Sequence, residues 1–215
     1  EARVFALPEA GGAIDPSAAE RLAEYARGVD AVVLGPGLID PDAIGPLVEA
    51  LLPRLERPAL LDAEAMMAAA RSRPALRSSH LPLILTPNPG EAAGITGREQ
   101  GDVLASAPDV ALGLAADTGA VVSLKGATTH IASPQGALFR YQSHAPGLGV
   151  SGSGDVLAGA IGGLLAQGAE PLQAVLWATY LHGEAGRRLA ERVGRLGFLA
   201  RELPDELPRL LDELR

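Results

Sequence analysis

The 215-residue sequence contains no cysteine, so disulfides and thiolate metal sites are excluded. Proteins of oxidising compartments often depend on disulfides, and the first residues lack the layout of a signal peptide, so we expect a cytoplasmic protein. Aromatic residues make up only 3% of the chain. Leucine, alanine and valine must therefore fill most of the core.

Long apolar runs and an excess of basic residues are also missing. The longest apolar candidate, Val156 to Ala166, is interrupted by three glycines, whereas a membrane span needs about 20 apolar residues. The net charge of −8 argues against a surface for nucleic acids or anionic membranes. Small anions are held by backbone N–H groups and one or two cations whatever the net charge, so a nucleotide site is not excluded.

Short apolar runs alternate with segments of helical periodicity, which predicts an α/β fold: a mostly parallel sheet with helices on both faces. The predicted strands are 31–34, 59–61, 83–85, 121–124, 130–132 and 138–141, and the predicted helices include 63–71, 110–118, 154–167 and a long one from Pro171 to about Leu196. In such sheets ligands bind beyond the carboxyl ends of the strands. The unusual residues lie at those ends: Gly35-Pro36-Gly37, Asp62, Thr86 to Glu91, and Lys125-Gly126.

The most informative motif is Gly152-Ser153-Gly154-Asp155, which stands directly before a predicted helix. Glycines at this place let several backbone N–H groups converge at the positive end of the helix dipole, where they can hold a phosphoryl group in transit. Asp155 can then accept a proton from a substrate hydroxyl. The alternative is a plain helix cap with Ser153 or Asp155 as the capping residue.

Two other segments suggest ligand contacts. Glu91 can order waters around Mg²⁺ and Asn88 can hydrogen bond a ligand, although Glu91 can equally be an acidic residue in the first turn of a helix. Lys125, followed by Gly126 and two hydroxyl residues, suits nucleotide phosphates. Its alternative is a solvated lysine in a loop.

The segment Val150 to Gly168 closely resembles the signature of the ADP/ATP-dependent NAD(P)H-hydrate dehydratases, a family of the ribokinase-like superfamily. Four other segments occur in the order and rough spacing of that family: Leu34 to Leu38, Leu61 to Ala65, Thr86 to Glu91 and Leu124 to Ala127. The resemblance implies a ribokinase-like, three-layer α/β/α domain over residues 1–215. The family's opening strand and helix have no counterpart in this sequence.

The resemblance also implies a reaction. ADP or ATP would phosphorylate the C6 hydroxyl of the 6S hydrate of NADH or NADPH (NADHX or NADPHX), and departure of phosphate would restore the ring. It further implies Mg²⁺ near Glu91 and a homo-oligomer, a tetramer by analogy. Asp155 would be the catalytic base, and Gly37 and Asn88 would join it in binding the hydrate. The nucleotide would be bound by Lys125, Gly126, Ala127, Thr128, Thr129, Gly152, Ser153 and Gly154.

Two alternatives remain open. The family usually has histidine where Asn88 stands, and asparagine there is typical of sugar and vitamin kinases of the same superfamily, which stop after phosphorylation. The other alternative, motivated by the missing opening unit, is a nucleotide-binding protein without catalysis.

Overall fold

The computed structural model describes residues 2–38, 40–71, 76 and 80–214. A short hairpin, β1 (Glu9–Ala10) and β2 (Ala13–Ile14), precedes a sheet of six strands in the order β3 to β8. These strands are β3 (Val32–Leu34), β4 (Ala59–Leu61), β5 (Leu83–Leu85), β6 (Val121–Leu124), β7 (Thr128–Ala132) and β8 (Leu138–Gln142). The first four run parallel, and the last two are antiparallel to their neighbours.

Helices connect the parallel strands and follow the sheet. They are α1 (Ala18–Arg27), α2 (Pro41–Leu51), α3 (Ala63–Arg71), α4 (Pro89–Thr96), α5 (Gln100–Ala105), α6 (Ala107–Thr118), α7 (Ser153–Ala166), α8 (Pro171–Arg192) and α9 (Leu203–Glu213). Within the described ranges, every helix is too short or too polar to cross a membrane.

The alternation of side chains along the strands places a helical layer on each face. Leu61, Leu85 and Val122 pack into one core with α1, α2, α3 and α6. Leu60 and Ile84 point the other way and pack against α7 and α8. The structure therefore confirms the expected three layers and the mostly parallel sheet.

Two parts of the helical prediction were wrong. The long helix α8 ends at Arg192 and not near Leu196, because Gly194 has φ of +121° and cannot continue a helix. Helix α5 was not predicted, and α4 was considered only as an alternative in which Glu91 lies in the first turn of a helix, since Pro89 and Gly90 favour a turn when only the sequence is considered.

The turn after β4 is close-packed and strained. Gly35 has φ of +132°, and a Cβ placed on it would lie 1.9 Å from the carbonyl oxygen of Asp62. Ala63 follows with φ of +45°, and no other non-glycine residue of the described ranges has a positive φ. A positive φ is costly for any residue that carries a Cβ, so this turn holds Asp62 in one orientation at the expense of local strain.

We expect Ala63→Gly to raise the free energy of unfolding by up to about 1 kcal/mol, because glycine accepts the positive φ without strain. The matched control is Ala116→Gly, an exposed position in α6, which should lose about 1 kcal/mol. Urea unfolding of both variants measures the difference. An equal loss in the two variants would contradict the strain at Ala63.

Candidate active site

A cleft of about 790 Å³ opens beyond the carboxyl ends of β5 and β6, between the loop after β8 and the facing sides of α7 and α8. It contains most of the predicted nucleotide residues. The nucleotide residues that line it are Lys125, Gly126, Ala127, Thr129, Ser153 and Gly154, and Asn88, which was predicted to bind the hydrate, lines it as well. The structure thus brings together three segments that lie far apart in the sequence.

Five predicted residues do not line this cleft: Gly37, Glu91, Thr128, Gly152 and Asp155. Asp155 is exposed and directly follows Gly154, which does line the cleft. Gly37 is also exposed, at the end of the turn after β3, with φ of +80°. The assignment of Asp155 and Gly37 to substrate binding remains a prediction.

The first turn of α7 offers fewer free donors than the motif suggested. Gly152 adopts φ of +86° and its carbonyl begins the helix by accepting from the Val156 N–H. The N–H of Ser153 donates to the carbonyl of Val150 at 3.2 Å, so it is engaged within the protein. The N–H groups of Gly154 and Asp155 have no acceptor among the described residues. Two amides, those of Gly154 and Asp155, are left to bind an anion at this helix start.

His182 of α8 holds the start of α7 in place. Its Nε2 lies 2.9 Å from the Ser153 hydroxyl oxygen and 3.0 Å from the Ser153 carbonyl oxygen. Burial lowers the pKa of His182 to about 4, and the positive charge of Lys125 acts in the same direction, while the contact with the Ser153 carbonyl opposes both. His182 is therefore neutral at physiological pH and serves as a packed hydrogen-bonding group.

Lys125 is not the solvated loop lysine of the alternative interpretation. Its Nζ donates to Oδ1 of Asp62 at 2.9 Å, and the same oxygen accepts from the Thr86 hydroxyl at 2.6 Å. The lysine side chain is 21% exposed and the aspartate 4%. Nζ also lies 3.5 Å from the position that a Cβ on Gly154 would occupy. A positive charge thus stands beside the two free amides.

Asn88 and Glu91 form a reciprocal helix cap. The Glu91 N–H donates to Asn88 Oδ1 at 2.9 Å, and the Asn88 N–H donates to Glu91 Oε2 at 2.7 Å. The plain helix-start interpretation is therefore confirmed for Glu91. Asn88 Nδ2 and Glu91 Oε1 have no partner in the part of the chain that the structure describes, so each can still contact a ligand or its water.

The described residues form no group of three or more histidine, aspartate or glutamate side chains suited to hold a metal ion. Mg²⁺ commonly binds through substrate phosphates, waters and one or two carboxylates, which needs no such group. The uncommitted oxygen of Glu91 fits a water-mediated contact of this kind. The Mg²⁺ assignment remains a prediction.

The other wall of the cleft was not predicted from the sequence. Tyr141 and Thr179 line it, and the Thr179 hydroxyl is buried without a hydrogen-bond partner among the described residues. Burial, and then the neighbouring Glu184, raise the pKa of Tyr141 to about 12, so its hydroxyl stays protonated. No local pattern marks these residues, because they face the cleft only once β8 and α8 have packed together.

Comparison with known proteins agrees with this arrangement. Residues 4–209 match the sequence profile of the NAD(P)H-hydrate dehydratases. The chain belongs to this family. The family's ribokinase-like fold is confirmed with it, since the central sheet and its two helical layers are shared with the solved structures that the chain resembles.

Three known proteins illustrate the likeness. An ADP-dependent (S)-NAD(P)H-hydrate dehydratase of Xanthomonas campestris is 42% identical over 186 residues, which are 86% of this chain and 62% of that protein. An ADP/ATP-dependent NAD(P)H-hydrate dehydratase of Bacillus subtilis, crystallised with ATP and Mg²⁺, has a TM-score of 0.77 at 32% identity, over 86% of this chain and 65% of that one. A hydroxyethylthiazole kinase of Pyrococcus horikoshii has a TM-score of 0.68 at 27% identity, over 88% and 75% of the two chains. The chain thus spans less than two thirds of these two dehydratases.

Because the folded-state pKa of His182 lies below its unfolded value, the unfolded chain binds more protons between about pH 6.5 and pH 4. We expect the free energy of unfolding to fall as pH drops through this window, by at most about 1.4 kcal/mol per pH unit from this group. Urea unfolding of the wild type and of His182→Gln across the window measures the contribution as the difference between two curves. Parallel curves would show that His182 titrates normally in the folded protein.

Proposed function

We propose that this chain dehydrates the 6S hydrate of NADH or NADPH, with ADP or ATP as the phosphoryl donor. One observation carries the proposal: the two free N–H groups of Gly154 and Asp155 and the ammonium of Lys125 converge at the start of α7, beside an exposed carboxylate. Family membership supplies the substrate class, because the chain matches the NAD(P)H-hydrate dehydratases over residues 4–209 and is similar to an ADP-dependent dehydratase of this hydrate.

The first step is a phosphoryl transfer. The amides and Lys125 bind oxygens of the transferring group, whose charge they stabilise as the bond to the nucleotide breaks. The C6 hydroxyl oxygen of the hydrate forms the new bond to phosphorus, and Asp155 takes the hydroxyl proton. The amide Nδ2 of Asn88 donates to the substrate at the opposite side of the cleft.

The second step is an elimination. Phosphate is a much better leaving group than hydroxide, and the lone pair of the ring nitrogen expels it by breaking the C6–O bond. Loss of a proton from C5 then restores the ring double bond, so one phosphate and one proton leave for each dihydronicotinamide formed. Bound Mg²⁺ would add positive charge at the nucleotide phosphates, with Glu91 contacting its waters.

A kinase that stops after phosphorylation is the second candidate. Asn88 favours it, and the fold shared with the hydroxyethylthiazole kinase shows that this scaffold accommodates such chemistry. Turnover separates the two. Recovery of NADH absorbance from its hydrate with ADP or ATP supports the dehydratase, and a stable phosphorylated product supports the kinase. Nucleotide binding without phosphate release would support a non-catalytic protein.

Asp155→Asn should lower the turnover number by about 10²–10⁴, because it removes the base, while ADP affinity measured by calorimetry stays unchanged. The matched control is Asp109→Asn, an exposed acidic residue in the first turn of α6, which should behave as the wild type. Near-normal turnover in Asp155→Asn would remove Asp155 from the reaction.

Gly154→Ala should weaken ADP binding by about tenfold or more, because a methyl group would occupy the space next to Lys125 where a phosphate is expected. The fold should tolerate this change, since the nearest atom would be at 3.5 Å, an ordinary contact. Gly159→Ala in the same helix meets nothing within 4 Å and serves as the control. Equal ADP affinity in the two variants would place the phosphates elsewhere.

A further inference from the structure

Asp62 is a buried residue whose carboxylate has only two hydrogen-bond partners in the described part of the chain, and both bind the same oxygen. Oδ1 accepts from the Lys125 ammonium at 2.9 Å and from the Thr86 hydroxyl at 2.6 Å. These three residues directly follow β4, β5 and β6, so the ends of three neighbouring parallel strands meet at one oxygen. A buried carboxylate is costly unless it is paired, and this pairing meets that need.

The backbone of Asp62 is fixed as firmly as its side chain. The Asp62 N–H donates to the carbonyl of Leu34 at 3.0 Å. Gly35 has no Cβ, which allows the chain after β3 to lie in close contact with the Asp62 carbonyl. The strained φ of Ala63 lies one residue further on. Strain of this kind persists where the surrounding structure imposes it, and it occurs preferentially at functional sites.

The consequence falls on Lys125. A lysine side chain has four rotatable bonds and samples many positions when it is free. Here one ammonium hydrogen is directed to Asp62, and the other two are left for ligands at a point 3.5 Å from the Cβ position of Gly154. His182 experiences the same charge from the other side, since Lys125 helps to lower its pKa.

We propose that Asp62, oriented by Thr86, is a positioning residue that holds the Lys125 ammonium at the start of α7 for the phosphoryl group in transit. The proposal rests on the proposed function and adds to it that the lysine is placed before the nucleotide binds. Electrostatic stabilisation is effective when the charges are already oriented, because no reorganisation is then needed during the reaction.

The alternative is an ion pair that only stabilises the fold. The two differ in what Asp62→Asn does to the turnover number of the folded protein. A positioning residue acts through Lys125 alone, so its loss should lower turnover in the wild-type background and have no further effect in Lys125→Met. An ion pair that only stabilises the fold should change the free energy of unfolding and leave the turnover number of folded Asp62→Asn at the wild-type value.

The test is a double-mutant cycle with four proteins: wild type, Asp62→Asn, Lys125→Met and the double variant. Asparagine keeps the size and the acceptor for Thr86 but removes the charge. We expect Asp62→Asn to lower the turnover number about tenfold or more with little change in KM for the hydrate. In the Lys125→Met background it should change the residual turnover by less than about twofold.

Urea unfolding of the same four proteins controls for folding. Lys125→Met should be less stable than the double variant, because it leaves the Asp62 charge buried and unpaired. Thr86→Val, which removes only the hydroxyl donor, should lower turnover in the same direction by a smaller factor. Wild-type turnover in a folded Asp62→Asn, or an equal loss in both backgrounds, would overturn the proposal.

Failure of the proposed function gives a different result. Measurement of the wild type is enough to detect it, because the wild type would then dehydrate the hydrate with neither ADP nor ATP. In that case the same four proteins are compared for ADP affinity by calorimetry. Asp62→Asn should weaken ADP binding in the wild-type background and not in Lys125→Met, and equal weakening in both would again overturn the positioning role.

Discussion

The ion pair between Lys125 and Asp62 connects the sheet with the helix that begins at Ser153. Three parallel strands deliver Asp62, Thr86 and Lys125 to the same edge, and the buried carboxylate draws the ammonium toward Gly154. A buried acid in such a place would be costly without the lysine, and the lysine would be mobile without the acid. The cleft therefore contains a positive charge whose position is set by the fold.

The start of α7 complements this charge. Left-handed Gly152 turns the chain into the helix, and His182 binds the Ser153 carbonyl and hydroxyl from the neighbouring helix. The next two amides remain unpaired at the positive end of the helix dipole. A neutral histidine suits this role, because a second positive charge so close to Lys125 would be unfavourable. In the proposed reaction, the fixed amides and the fixed ammonium together hold the phosphoryl group in transit.

Much of this arrangement could be predicted from local patterns. The strands at 59–61, 83–85 and 121–124 were predicted with the bounds that the structure shows, because continuous apolar runs between turn residues are typical of buried parallel strands. The Gly-Ser-Gly-Asp motif and the acidic and basic residues at strand ends were also recognisable, because each lies within a few consecutive residues of the sequence. The resemblance to a known family then supplied the roles that patterns alone cannot assign.

Contacts between distant residues could not be predicted. Asp62 and Lys125 are 63 positions apart, and Ser153 and His182 are 29 apart. The sequence around each of these four residues does not indicate its partner. The sequence suggested several free amides at the start of α7, but the N–H of Ser153 is bound to the carbonyl of Val150. For Asn88 and Glu91 the sequence suggested contacts with ligands, whereas the structure shows that the two residues cap the start of α4 together.

The proposed reaction depends above all on where the nucleotide phosphates lie. A crystal structure of this chain with Mg²⁺ and a non-hydrolysable ATP analogue tests it most directly. We expect phosphate oxygens within hydrogen-bonding distance of both the Gly154 N–H and Lys125 Nζ, with Lys125 still paired to Asp62. A nucleotide bound with its phosphates away from these two donors would contradict it.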